Sequence, residues 1–428
     1  MYRYSLPKMF IRSIHRSSIM IHQQSIREKL IRLATTGISS NRMYSGSVKA
    51  PAPAPANIYE AINIGAVLKI NTDLWPHSLK VPYVWLRDHC RSPKCYNYNT
   101  FQRIQDLHEI PLNIRPANVE ANKDGVRIEW SDGHVSQYEY KFLWQNTFEG
   151  RKTSHERPQE TWTSETFPND NETKVPFSEL QKSEDAQRKL LRSMVKNGFG
   201  FITEVPENVE CTRAAVETIC PVQWTFFGEM WSFQADLSKA DTAYSNEYLG
   251  AHTDQTYYSQ ASRVQVFHCL KASPQGGETL LVDGFAVAEQ YKAEFPNGYS
   301  YLSSTAIPSE YIGDNQHHFS LDTIFKENPA TGQIQQFRYN LYDRAPFSSV
   351  PLDQVNETYI HIRNLSSIVR KKSNEYWLKL QPGTVLLIDN WRVMHGRASY
   401  SGPRIMGGCY LANDSFTSKA RVLGVPLE

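Results

Sequence analysis

Leu386-Leu387-Ile388-Asp389-Asn390-Trp391-Arg392-Val393-Met394-His395-Gly396-Arg397 is the stretch that decides the fold. Its apolar start reads as a buried strand, and the strand delivers a histidine to a turn. Other short strands surround it: Val264 to Cys269, Thr279 to Val282 and Gly407 to Leu411. Turns such as Pro274-Gln275-Gly276-Gly277 and Gln381-Pro382-Gly383 divide them. Many short strands with Gly/Pro turns predict a sandwich or barrel. Upstream, Leu190, Leu191, Met194 and Val195 recur at helical spacing within residues 178–197, with Gly198 as a stop. Phe199-Gly200-Phe201-Ile202 then reads as a strand.

The rest of the chain is organised around this core. Residues 58–148 read as a small β-rich domain, with strands at Val81 to Leu86, Val126 to Trp130 and His134 to Tyr140. Ser131-Asp132-Gly133 is a hairpin turn between the last two. Residues 149–176 are polar and aperiodic and read as a linker or surface loop. Residues 45–57 form an Ala/Pro spacer, which favours extended backbone. Residues 1–44 hold eight basic residues against one acid, Glu28, and read as a mitochondrial transit peptide. Arg42-Met43-Tyr44-Ser45 resembles a matrix-protease cleavage pattern. The full chain carries a formal +2; without residues 1–44 it would carry about −5. The basic excess therefore belongs to the address, and nothing points to nucleic acid. No apolar run is long enough for a membrane-spanning helix. Six scattered cysteines in 428 residues argue against a disulfide framework. There is no Gly-rich phosphate loop and no Gly-x-Ser-x-Gly elbow.

The chemistry concentrates at His252-Thr253-Asp254. In extended backbone, residues i and i+2 share a face, so an imidazole and a carboxylate converge. A third ligand would complete the facial triad of non-haem Fe(II) oxygenases, which leaves coordination positions open for a keto acid and O2. His395 is the candidate third ligand. Arg404, nine residues later, and Thr279, opening a strand, are candidates for the distal carboxylate of a keto-acid co-substrate. His-x-Asp alone is a weak signal; the ordered set is a strong one. His268, in an apolar strand, reads as core, and His317-His318 as loop.

The long motifs sharpen the reading. Val84-Trp85-Leu86-Arg87-Asp88-His89-Cys90, Gly228-Glu229-Met230-Trp231, Asp241-Thr242-Ala243-Tyr244, His252-Thr253-Asp254, Val266 to Leu270, Thr279 to Phe285 and Asp389 to Arg397 run in order through residues 60–425. In this set the chain resembles the γ-butyrobetaine dioxygenase group of Fe(II)/2-oxoglutarate oxygenases. The resemblance implies a mainly β fold with flanking helices, in which a double-stranded β-helix (jelly roll) at residues 177–428 follows the small N-terminal domain. It implies Fe(II) at His252, Asp254 and His395, 2-oxoglutarate at Arg404 and Thr279, and ascorbate to keep iron ferrous. It further implies hydroxylation at C3 of trimethyllysine in the mitochondrial matrix, opening carnitine biosynthesis, and it allows a homodimer.

A quaternary ammonium has no N–H to donate, so aromatic faces read it. Trp231, Tyr244 and Tyr410 match cage positions of the relatives, and Phe227 stands where those relatives place Tyr. Asp241 stands where the γ-butyrobetaine enzymes resemble this chain with an amide; a carboxylate suits the α-ammonium of trimethyllysine. Cys90, Cys95 and His134 resemble a zinc site of those enzymes, but Ser92 replaces a further Cys. Three good ligands, with His89 as a conceivable fourth, fall short of a closed structural site. The alternatives are γ-butyrobetaine hydroxylation by the same machinery, or a non-catalytic jelly roll that binds betaines.

Overall fold

The computed structural model describes residues 58–148, 158–234, 245–329 and 331–427. The transit-peptide reading (1–44), the Ala/Pro spacer (45–57), Asp241 and Tyr244 all lie outside the described residues.

The N-terminal part holds two three-stranded antiparallel sheets. One comprises β1 (Tyr59–Ile64), β2 (Val67–Thr72) and β3 (Leu79–Pro82); the other comprises β4 (Pro116–Asn122), β5 (Gly125–Trp130) and β6 (Val135–Tyr138). Leu68, Ile70, Val81, Val126, Ile128 and Trp130 of both sheets share one core. The expected strand at Val81 to Leu86 is instead the end of β3 followed by helix α1 (Tyr83–Asp88). Its β-forming composition is overridden by burial of Tyr83, Leu86 and Arg87, the i, i+3, i+4 stripe of a helix. The hairpin at Ser131-Asp132-Gly133 forms as expected, with Gly133 at φ +77°.

The linker reading also needs correction. Beyond residue 157 the segment packs into the body. Trp162 is buried and donates through its indole to the Asn197 carbonyl at 2.7 Å. Strand β7 (Lys174–Pro176) pairs in parallel with β8 (Phe199–Thr203). Helix α2 (Glu184–Asn197) lies between them, N-capped by Ser183 and closed by Gly198 at φ +82°.

The body is a jelly roll. Its seven-stranded sheet runs β9 (Val222–Gln223), β19 (Ile405–Leu411), β12 (Val264–Lys271), β17 (Val385–Asp389), β8 and β7, with β10 (Met230–Phe233) also on β19. Its four-stranded sheet runs β11 (Leu249–His252), β18 (Val393–Arg397), β13 (Thr279–Asp283) and β16 (Tyr376–Leu378). Alternation explains the packing. Leu386 and Ile388 join Phe199, Phe201, Leu281, Val393 and Met406 between the sheets. Val385 and Leu387 face out under α2. Leu280, Val282 and Met394 face helices α3 (Gly284–Glu294) and α4 (Val355–Val369). Both faces of each sheet are covered, so the strands read as unbroken apolar runs. His395 sits inside β18 rather than at a turn, because the turn falls earlier, between β17 and β18. His317 and His318 also lie on a strand, β15 (Gln316–Asp322), paired with β14 (Ile307–Gly313).

One buried ion pair ties these layers together. Arg392 Nε and Nη2 donate to the two oxygens of Asp283 at 3.0 and 2.8 Å. Asp283 also caps α3 through Phe285 N–H and accepts from Trp162 N–H, both at 3.0 Å. Removing one partner strands the other as a bare buried charge. Asp283→Ala should therefore lose about 3–5 kcal/mol of stability, read from the denaturant midpoint; a loss below about 1 kcal/mol would show the pair to be dispensable.

Candidate active site

The site is assembled by strand register. On the four-stranded sheet, β11 pairs with β18 so that His252 stands opposite His395. Gly396 permits the close approach: a Cβ there would meet the Leu249 carbonyl oxygen at 2.5 Å. His252 Nδ1 lies 2.8 Å from the Gly250 carbonyl, which only a protonated Nδ1 satisfies, so Nε2 faces inward. That Nε2 is 3.2 Å from Asp254 Oδ1, and His395 Nε2 is 3.8 Å from the same oxygen. Ligand atoms of all three residues lie within 4.8 Å of one another.

Asp254 is held from several sides. Its N–H donates to Asn390 Oδ1 at 2.7 Å, and Asn390 Nδ2 donates back to its carbonyl at 3.1 Å. Thr253 N–H donates to Tyr339 O at 2.7 Å, and Tyr339 N–H donates to the Thr253 hydroxyl at 3.0 Å. Gln255, next in the chain, takes φ +61°, a left-handed conformation that a side chain disfavours. The turn is thus over-determined by its neighbours.

Electrostatics prepare His395 and Asp254 for a cation. Burial, then the His252 charge, depresses His395 to about 3, leaving a neutral imidazole. Burial alone would raise Asp254, but the His395 and His252 charges and hydrogen bonds to its oxygens hold it below the usual carboxylate range. Burial would likewise lower His252, but the hydrogen bond and charge of Asp254 raise it. One anionic oxygen and two imidazole nitrogens around a single point suit a divalent metal with a vacant side.

These residues open onto a cavity of about 260 Å³. Strand β19 supplies one wall. Arg404, just before it, and Met406 and Tyr410 within it share a parity and all line the cavity. Thr279 enters from β13, opposite Arg397 of β18. Arg404 is buried, and among the described residues no carboxylate pairs with it. Burial, then the Arg397 charge, lowers it to about 10. A buried cation that has no carboxylate partner among the described residues is suited to an incoming carboxylate.

The remaining wall is aromatic. Trp231 stands 6.3 Å from the Tyr410 ring, and Phe227 stands 6.5 Å from it. Trp231 lies over Gly408, where a Cβ would come within 2.2 Å of the indole. The sequence reading missed Tyr257 and Tyr311, whose rings are 5.3 Å apart, and Gln265, Asn340 and Asp343, which line the same cavity. Tyr257 follows Asp254 by three residues, a proximity that offered a signal. The others reach the cavity only through pairings distant in the chain.

A second cluster lies in the N-terminal part. Cys90, Cys95 and His134 converge, with His134 Nε2 3.2 Å and 3.5 Å from the two sulfurs. Ser92 Oγ, 3.3 Å from the same nitrogen, occupies the fourth side. His89 is not part of the cluster; its Nδ1 pairs with the Trp85 carbonyl at 2.8 Å. Arg87 lies 3.5 Å from the Cys95 sulfur, a cation that opposes a second one. Two thiols, one imidazole and a neutral hydroxyl do not match a closed structural zinc site.

A facial set of two histidines and one carboxylate, set in a jelly roll beside a buried arginine, marks a 2-oxoglutarate-dependent dioxygenase. Sequence comparison agrees. The family described as taurine catabolism dioxygenase TauD, TfdA matches residues 159–410, and the gamma-butyrobetaine hydroxylase-like N-terminal family matches residues 67–144. The chain is 38% identical over 351 residues to human mitochondrial trimethyllysine dioxygenase, covering 81% of this chain and 83% of that one. The mouse enzyme is 39% identical over the same span. A putative alpha-ketoglutarate-dependent taurine dioxygenase from Burkholderia xenovorans is similar in structure at TM-score 0.45 and 17% identity, over 55% of this chain and 86% of that one. The chain belongs to the TauD, TfdA dioxygenases and, within them, to the trimethyllysine dioxygenase family.

Two outcomes test the metal readings. Asp254→Ala should weaken Mn(II) binding by at least about 100-fold in a calorimetric titration; unchanged affinity would remove Asp254 from the metal site. Elemental analysis of the purified chain should show zinc well below one equivalent, rising in Ser92→Cys. Full zinc in both proteins would contradict the three-donor reading.

Proposed function

We propose that the chain hydroxylates C3 of trimethyllysine, consuming 2-oxoglutarate and O2 and releasing succinate and CO2. The observation that carries this reading is the meeting of His252, Asp254 and His395 in a cavity that also holds Arg404 and an aromatic wall. His252, Asp254 and His395 would hold Fe(II), which when bound supplies the redox chemistry that activates O2. Arg404 binds the far carboxylate of 2-oxoglutarate as a bidentate fork, with the Thr279 hydroxyl beside it. Neutral His395 and ionised Asp254 remain ready to ligate across the physiological range. Trp231 and Tyr410, with Tyr244, offer π faces to the trimethylammonium, each good contact worth roughly 0.5–2 kcal/mol. Phe227, Trp231, Phe233 and Tyr410 cover one side of the cavity and shield it from water there.

Two carboxylates bear on substrate choice. Asp241 is proposed to pair with the α-ammonium that trimethyllysine has and γ-butyrobetaine lacks. Asp343, held by Asn340 Nδ2 at 2.7 Å, places a further carboxylate in the cavity. The basic N-terminal segment and the mitochondrial names of the relatives support the mitochondrial matrix as the site of the reaction. There the product enters carnitine biosynthesis, with ascorbate keeping iron ferrous.

The test is a coupled assay with each substrate. Trimethyllysine should yield succinate and hydroxylated product one to one, and γ-butyrobetaine should be the poorer substrate. Asp241→Asn should lower kcat/KM for trimethyllysine roughly 10-fold or more while affecting γ-butyrobetaine less, as expected for a charge-assisted contact. Preference for γ-butyrobetaine in the wild type would transfer the assignment to that reaction. No succinate with either substrate would favour a binding protein.

A further inference from the structure

The two oxygens of Asp254 have different neighbours. Oδ1 faces the Nε2 atoms of His252 and His395. Oδ2 accepts the Tyr410 hydroxyl at 3.0 Å and the Gln265 side-chain amide in a short contact. Gln265 of β12 and Tyr410 of β19 are direct register partners, so the pleat sends both side chains to the same face. Both are buried. The Gln265 amide engages Asp254 through its nitrogen, and among the described residues its buried Oε1 has no hydrogen-bond partner. Flipping the amide would set one acceptor against another.

This arrangement decides how a carboxylate binds metal. A free carboxylate can chelate through both oxygens and occupy two coordination positions. The oxygenase reaction needs three vacant ones, two for the keto acid and one for O2. We infer that Gln265 and Tyr410 are positioning residues that hold Asp254 as a one-oxygen ligand. They are neutral donors, so they fix the carboxylate without cancelling the charge that attracts the metal. Tyr410 does more, because its ring also stands in the aromatic wall beside Trp231 and Phe227. A trimethylammonium packed on that ring presses on the side chain that orients the metal ligand. Cation binding and metal geometry are thereby joined through one tyrosine. This last link rests on the proposed function; the positioning role does not.

The test uses the full chain with Tyr410→Phe and Gln265→Leu. Tyr410→Phe keeps the π face and removes only the hydroxyl. Co(II) titration, followed by its visible absorption with neither substrate present, should show an altered spectrum in each variant, because Oδ2 is freed to join the metal. In turnover, Tyr410→Phe should leave KM for trimethyllysine within about 2-fold, because the ring remains. It should release more than one succinate per hydroxylated product. A wild-type Co(II) spectrum in Tyr410→Phe would overturn the inference, as would a raised KM with a succinate-to-product ratio of one. If Gln265→Leu does not fold, Tyr410→Phe decides alone. If the wild type hydroxylates neither substrate yet Tyr410→Phe still alters the Co(II) spectrum, the substrate assignment fails and the positioning role stands.

Discussion

Everything at this site depends on the pairing of β11 with β18. It sets His252 opposite His395, although 143 positions separate them in the chain. Strand side chains alternate with period two, so a slip of one residue would turn one imidazole into the helix-covered face. The register is fixed from both directions. Leu281, Val393 and Leu386 pack between the sheets, while Leu280, Val282 and Met394 pack outward. A slip would reverse both sets at once. Burial of leucine-sized side chains is worth about 1.5–3 kcal/mol each, so the apolar alternation holds the register far more firmly than the ligands could.

The third ligand follows a different logic. Asp254 lies past the end of β11, where no ladder constrains it. Its place is set by side chains from elsewhere: Asn390 on its backbone, and Gln265 and Tyr410 on its carboxylate. The left-handed Gln255 is the local cost of turning the chain there. Two ligands are thus placed by the sheet and one by hydrogen bonds. The carboxylate is the member whose binding mode neighbouring residues can tune.

This division explains what was legible in the sequence. The strands around Val264, Thr279, Val385 and Gly407, helix α2 and its Gly198 stop were readable because apolar period and turn chemistry are local signals. His252, Asp254, His395, Thr279 and Arg404 were readable as an ordered set, and the structure brings all five to one cavity. Gln265 was not readable. In its strand it is a polar residue among apolar ones, and its purpose exists only through Tyr410 across the ladder and Asp254 beyond it. Tyr311 and Asp343 were hidden for the same reason. The strand expected at Val81 to Leu86 shows the opposite failure, a local propensity overruled by a buried helical stripe.

Strand β19 also orders the cavity along its length. Arg404, Met406, Gly408 and Tyr410 share one parity, and six residues of extended chain span about 20 Å. Arg404 thus stands at one end of the wall and Tyr410 at the other. The arginine end, with the Arg397 charge nearby, is cationic and suits an anion. The aromatic end presents π faces, which suit a cation that has no N–H to donate. Charge and π surface are thus separated along a single strand, and Gly408, lacking a side chain, leaves the space in which Trp231 closes the aromatic end.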